Sequence, residues 1–169
     1  MVSERPSVLE RAREIAAAVP DPELPMLTLA DLGILREVSA DSGRVIVSLT
    51  PTYSGCPALT EMRRDLAGRL AAAGLDAEVR TRLSPPWSSD WITAAGRRKL
   101  AAAGIAPPRP ARTLPAPARG GPVPLTLTPV RRDLACPRCG ALGARLTAAF
   151  GATACRALYQ CAALSLIHI

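Results

Sequence analysis

Thr50-Pro51-Thr52-Tyr53-Ser54-Gly55-Cys56-Pro57-Ala58 decides how the first half of this chain is read. Before it, Val45, Val47 and Leu49 alternate with Ile46 and Ser48, the period of a strand. After it, Leu59, Met62, Leu66 and Leu70 recur at helical spacing. The passage is therefore expected to be a strand-to-helix turn with Cys56 at the helix start. Pro57 suits the first helical position, where a missing N–H costs nothing. Free backbone N–H groups and the helix dipole there favour a thiolate. Cys56 is thus a candidate for reactivity or metal contact. The plain alternative is a small half-buried cysteine packed behind the turn, a common fate of free cysteines.

Working outward, Ser7 to Val19 reads as a helix with Val8, Ala12, Ile15 and Ala16 on one face, stopped by Pro20. Asp21-Pro22-Glu23-Leu24-Pro25 must be stiff and extended. Asp21 and Glu23 either cap a local turn or face the Cys56 turn. Leu35 to Val38 and Arg44 to Thr50 flank Asp41-Ser42-Gly43, which predicts a β-hairpin. The helix after Cys56 should end at Ala73-Gly74. Leu75 to Leu83 alternates as a further strand. The order α-β-β-α-β predicts a small α+β layer. Both tryptophans fall in Ser84-Pro85-Pro86-Trp87-Ser88-Ser89-Asp90-Trp91-Ile92. Ser89 or Asp90 can cap a helix running to Leu100. Packing is the expected role of the pair, with Trp91 inward and Trp87 over the Cys56 end. A binding platform is the alternative.

The charge sits at one end. Residues 1–104 carry 13 basic and 13 acidic side chains, whereas 105–169 carry eight arginines and one acid, Asp133. These arginines lack aromatic interleaving, so nucleic acid is not the expected partner. Ala106 to Pro129 holds eight of the 17 prolines. This divides the chain into an α+β domain over 1–104, a Pro-rich linker over 105–129 and a third region over 130–169. No apolar run approaches the roughly eighteen residues of a membrane span, and the charged N-terminus is unlike a secretory signal. A cytoplasmic, reducing setting is expected, where metal or thiol roles outrank disulfides.

Cys136-Pro137-Arg138-Cys139-Gly140 is one zinc knuckle, two thiolates on a tight turn. Leu142 to Phe150 and Ala157 to Cys161 read as short strands around Gly151. Cys155 and Cys161 offer further sulfurs, but Leu164 stands where a Cys-x-x-Cys partner of Cys161 would be. His168, the only histidine, is a stand-in ligand at best. A metal-bound ribbon that ends short of its pattern is expected over 130–169, and its tail is unlike the sequence before it. With one histidine and none near Cys56, no acid–base or nucleophile constellation is in view. Catalysis by this chain alone is not expected.

Several words in order resemble the PaaD family of phenylacetyl-CoA epoxidase subunits. Its first part is similar to the FeS assembly P domain, and its last to a zinc ribbon. They are Asp21-Pro22-Glu23-Leu24-Pro25, Asp31-Leu32-Gly33-Ile34, Thr50 to Ala58, Pro85 to Ile92, Gly104-Ile105-Ala106-Pro107-Pro108, Cys136 to Gly140 and Phe150 to Cys161. The likeness fails after Ala163, where the family pattern continues with a cysteine at the place of Leu164. It implies a role in phenylacetate catabolism, as an accessory component of a ring-epoxidising multicomponent monooxygenase with a di-iron oxygenase and an iron–sulfur flavin reductase. Those other components or their metal centres are the partners it implies, and maturation of an iron or iron–sulfur centre is the task. The alternatives are a structural or catalytic part of the oxygenase, or a zinc-ribbon interaction module. Cys56, with Asp21, Glu23 and Thr52 nearby, is the implied reactive thiol or transfer site. Cys136, Cys139 and Cys161, with Cys155 as a further candidate, are the implied ligands of a weak zinc site. A transient iron or iron–sulfur cluster is the implied cargo.

Overall fold

The computed structural model describes residues 7–108 and 134–168. The proposed linker therefore lies outside the described residues from 109 to 129, as do Ile169 and the side chain of His168. The first region runs α1 (Val8–Ala17), β1 (Leu35–Asp41), β2 (Arg44–Leu49), α2 (Ala58–Ala72), β3 (Ala77–Thr81), a 3-10 turn (Ser89–Trp91) and α3 (Ala94–Ala102). The second holds β4 (Arg145–Ala148), β5 (Leu158–Gln160) and β6 (Ile167–His168). The class is α+β followed by a small antiparallel β unit.

α1 opens on a capping box. The Glu10 amide donates to Ser7 Oγ at 3.2 Å, and the Ser7 amide to Glu10 Oε2 at 2.7 Å. Its packed stripe is Leu9, Ala12, Ile15 and Ala16. Val8, placed on that face by periodicity, is instead exposed because Leu9 takes the inner position of the first turn.

β1 and β2 form the expected hairpin. Ser42 and Gly43 both have positive φ (49° and 83°), as a tight two-residue hairpin turn requires. The pairing carries a bulge between Leu35 and Glu37. β2 is the central strand, antiparallel to β1 and parallel to β3, with α2 as the crossover. Val45, Val47 and Leu49 join Met62, Leu66 and Leu70 of α2 and Ala12 and Ala16 of α1 in one apolar cluster. Ile46 and Ser48 on the opposite face are also buried. Register sets Ile46 between Ser39 and Glu78, and Ser48 between Glu37 and Arg80. The ion pairs Arg80–Glu78 (2.8 Å) and Arg82–Glu37 (2.7 Å) lie on these same neighbouring strands or just beyond. β3 is shorter than the Leu75–Leu83 expectation, ending where its pairing with β2 ends. Pro57 sits one place outside α2, in the cap position with helical angles.

The helix expected from Ser89 or Asp90 to Leu100 is broken at Ile92. Ser88 caps the 3-10 turn, Ile92 is extended, and Thr93 caps α3 through the Gly96 amide at 2.9 Å. The break buries Ile92 and lets the Thr93 amide donate to the Asp31 carbonyl at 2.9 Å. Asp31 is the knot here, accepting from Lys99 Nζ at 2.5 Å and the Thr28 amide at 3.0 Å. α3 comes so close that a Cβ on Gly96 would lie 2.6 Å from the Asp31 carbonyl oxygen. The tryptophans pack against the same segment. Trp87 Nε1 donates to the Leu32 carbonyl at 2.9 Å, and the Arg36 guanidinium lies 3.5 Å over the Trp91 ring. Gly33, at φ +66°, could not carry a side chain, since its Cβ would meet the Trp91 carbonyl at 2.5 Å.

The second region is a meander, β4-β5-β6. The longer strands expected from the sequence contract to β4 and β5. The tail, unlike its surroundings in sequence, supplies β6, with Ile167 opposite Gln160 and His168 opposite Tyr159.

Candidate functional site

Cys56 lies in the loop between the end of β2 and the start of α2. A parallel strand–helix–strand unit gathers loops and helix N-termini at the C-terminal ends of its strands, where ligands bind most often. The turn is closed by the Cys56 amide donating to the Tyr53 carbonyl and the Leu59 amide to the Cys56 carbonyl, both at 3.2 Å. Cys56 is half-buried and packs against the apolar cluster. Its thiol pKa is nevertheless raised, not lowered as the helix-start argument expects. Burial is the largest cause. The amides of Ala58 and Leu59 pull the other way, and the negative charges of Cys155 and Asp21 add to the rise. A free thiolate is therefore disfavoured at neutral pH.

The surroundings of Cys56 come from three stretches. Asp21 is buried, and its Oδ1 accepts from the amides of Glu23 (2.9 Å) and Leu24 (2.8 Å). Burial pushes its carboxyl up; those amides and Arg156 oppose the rise, and Glu23 adds to it. Glu23 faces the other region, 3.9 Å from Cys155 Sγ and 3.9 Å from Arg156 Nη2. Tyr53 has its phenol pKa raised by burial and by the nearby charges of Cys56, Cys155 and Glu23. Thr52 is half-buried on the same loop. Asp21, Cys56, Tyr53, Glu23 and Cys155 are thus one electrostatic neighbourhood. Its acidic and sulfur groups disfavour a thiolate at Cys56. Tyr53 and Arg156 were not singled out from the sequence. Tyr53 lies three residues before Cys56 and Arg156 directly follows Cys155, both within motifs already noted, which is the signal that was there.

The second sulfur group is in the ribbon. Cys136, Cys139 and Cys161 place their sulfurs within 4.8 Å of one another, with Cys139 and Cys161 at 3.6 Å. Cys136 and Cys161 are buried and Cys139 is exposed. The Arg138 amide approaches Cys136 Sγ at 3.4 Å. Against the cost of burial, this amide, that of Cys139 and the neighbouring thiols hold the Cys136 pKa below its ordinary value. Three neighbouring sulfurs, two of them buried, served by amide donors are a donor set that suits zinc. Cys155 is not in this group. Its sulfur lies 3.1 Å from Thr153 Oγ1 and on the side of Glu23. Leu164 is 42% exposed.

Family models match both regions: residues 11–81 fit one described as an iron-sulfur cluster assembly protein, and residues 121–163 fit the PaaD zinc beta ribbon domain. A putative component of the 1,2-phenylacetyl-CoA epoxidase of Escherichia coli (strain K12) is 35% identical over 148 residues, 87% of this chain and 82% of that protein. The chain belongs to the PaaD family of phenylacetyl-CoA epoxidase subunits. Its likeness to solved structures runs through the first region. A domain of unknown function, DUF59, from Bacillus anthracis superposes with a TM-score of 0.51 at 26% identity, over 55% of this chain and 91% of its own. Among the described residues, no helix is long and apolar enough to cross a membrane.

Proposed function

We propose that this chain is an accessory component in the ring epoxidation of phenylacetyl-CoA, and that it helps assemble or mature an iron or iron–sulfur centre of that system. The observation that carries the reading is the setting of Cys56, a half-buried thiol on the β2–α2 turn whose ionisation is opposed by burial and by the nearby charges of Cys155 and Asp21. A nucleophile is activated by a base or a neighbouring cation. Here the strongest neighbours are acidic, which suits transient capture of a metal ion or cluster as cargo. Metal affinity at such a site rises with pH, because the ion must displace the thiol proton. The match to iron–sulfur assembly proteins over 11–81 supports the same reading. The ribbon, with zinc held by Cys136, Cys139 and Cys161, serves as a structural and docking element. The oxygenase and reductase are its partners, in the cytoplasm.

A purely structural role within the oxygenase complex is the second reading. Leu142, Leu146, Phe150 and Ile167 leave the ribbon with an exposed apolar surface fit for protein contact.

The test is Cys56→Ala in a strain that depends on this protein for growth on phenylacetate. Loss of one half-buried thiol should change stability by at most about 1 kcal/mol. Growth should fail, and the epoxidase purified from that strain should be short of iron. Normal growth would defeat the reading. Failed growth with fully loaded epoxidase would favour the structural role.

A further inference from the structure

β3 is an outer strand, and among the described residues no strand pairs with its far side. Two hydrogen bonds fix which groups point there. The Val45 amide donates to the Asp76 carbonyl at 2.9 Å, and the Arg82 amide donates to the Leu49 carbonyl at 2.8 Å. Along a strand, successive residues turn their backbone groups to opposite sides. The register Val45–Ala77, Val47–Val79 and Leu49–Thr81 runs unbroken. Glu78 and Arg80 therefore serve β2, and the amides and carbonyls of Ala77, Val79 and Thr81 face outward. Their cover is slight. Arg63 Nη2 donates to the Val79 carbonyl at 3.3 Å, a long and exposed contact. Beside this edge a groove of about 370 Å³ lies between α2 and β3, lined by Thr60, Arg63, Ala67 and Val79 among others.

The side chains of this edge read the same way in both directions. Ala77 and Val79 pack toward the apolar cluster, so alternation sets Glu78 and Arg80 together on the other face. They flank Val79, are 41% and 47% exposed, and are joined by bonds of 2.8 and 2.9 Å. We propose that β3 is a dimer edge: a second copy of this chain lays its own β3 antiparallel along it, with Val79 opposite its counterpart on a two-fold axis. The two three-stranded sheets then become one continuous sheet. In this register each Val79 exchanges both backbone bonds with its counterpart, and Ala77 does so with Thr81 of the other copy. Glu78 of each copy stands opposite Arg80 of the other, and the charges alternate in sign around the axis. Sliding the strands by two residues, the smallest slip that keeps amides facing carbonyls, sets Glu78 against Glu78 or Arg80 against Arg80. The charges thus select one pairing. Arg63 has to leave Val79, which its exposure makes easy, while Arg64 is held along its own helix by Glu61 at 3.1 Å. A five-residue strand is a small contact, so the dimer belongs at the weak end of protein association. It engages neither Cys56 nor the ribbon and stands apart from the metal chemistry proposed above.

The experiment is sedimentation equilibrium of the full chain, zinc-loaded and reduced, from micromolar to millimolar concentration, with amide hydrogen exchange followed by NMR at both ends of that range. A monomer–dimer equilibrium is expected, with the Ala77, Val79 and Thr81 amides slowed at the concentrated end alone. Arg80→Glu and Glu78→Arg each set like charges opposite one another and should weaken the dimer by about tenfold or more. The double exchange Glu78→Arg/Arg80→Glu restores the alternation and should bring the dimer back. A chain that stays monomeric throughout would overturn the proposal. So would a dimer whose three amides remain fast, or one that the single substitutions leave unchanged, since either places the contact elsewhere, as on the exposed leucines of the ribbon. Should a single variant lose its β1–β2 amide signals, and with them its fold, the exchange of those three amides in the unsubstituted chain decides the matter.

Discussion

From α1 to α3 the chain closes over aliphatic side chains, with Leu27, Leu29, Leu49, Leu66 and Leu70 fully buried. From Leu134 to His168 the buried side chains, among those described, are Cys136 and Cys161. Leu142, Leu146, Phe150 and Leu166 face solvent there. A segment of this size cannot bury enough apolar area to hold itself, and nature staples such segments with metal. In the first region hydrophobic burial fixes the fold, so a cysteine can be left over for chemistry. In the second the cysteines are the core. Cys155 is the exception, since it is exposed and contributes nothing to that core.

The sharpest way to break this comparison is to remove metal. A full structural zinc site contributes about 10–16 kcal/mol, and three thiolates supply only part of that. A strong chelator should therefore collapse the amide NMR dispersion of residues 134–168 and leave the signals of β1–β3 in place. Leu164→Cys should make the metal harder to strip by adding a fourth thiolate. Simultaneous loss of both sets of signals would mean that the regions share one core.

Leu66→Ala is the mirror experiment and should act on the other region alone. A fully buried leucine cut to alanine costs about 2–5 kcal/mol. Denaturant unfolding should show that loss, while the stoichiometry of metal in the ribbon stays the same.

A smaller effect should appear where α3 is tied down. Burial of Asp31 opposes its charge, but Lys99 and the Thr28 amide hold its carboxyl below the usual range. A carboxyl lowered in the folded state stabilises fully above its unfolded value of about 3.9, and that stability is lost as pH falls through the folded value. Lys99 is 44% exposed, which screens the pair. Lys99→Met should cost at most about 1 kcal/mol at neutral pH. The gap between the two proteins should vanish in acid, as melting temperatures measured across that range will show.

The layered α-β-β-α-β order was legible because it rests on local signals. The period of Val45, Val47 and Leu49, the Ser42-Gly43 turn and the Gly74 stop each act within a few residues. The break at Ile92 was not legible, because its cause is the Asp31 carbonyl, far away in sequence. Strand β6 was hidden for a similar reason, since its partner β5 decides it. For the site, the spacing of Cys136 and Cys139 marked one knuckle, while Cys161 as their partner was what the family resemblance implied; the three sulfurs do lie together. The raised Cys56 thiol did not follow from its helix-start position. Burial and the charges of Asp21 and Cys155 decide it, and both depend on how distant stretches meet. The place of Cys155 depends on docking between regions, which no local pattern encodes.

Arg36 is the residue left unmatched by the bulge in β1, and its guanidinium lies over the Trp91 ring. β1 is also one of the two outer strands of its sheet, β3 being the other. An unguarded outer strand offers its free amides and carbonyls to any other chain, the usual first step toward fibrils. The bulge interrupts that row of groups and twists the strand, and a charged, stacked arginine stands at the interruption. This small irregularity thus makes one of the sheet's two open edges a poor template for a further strand.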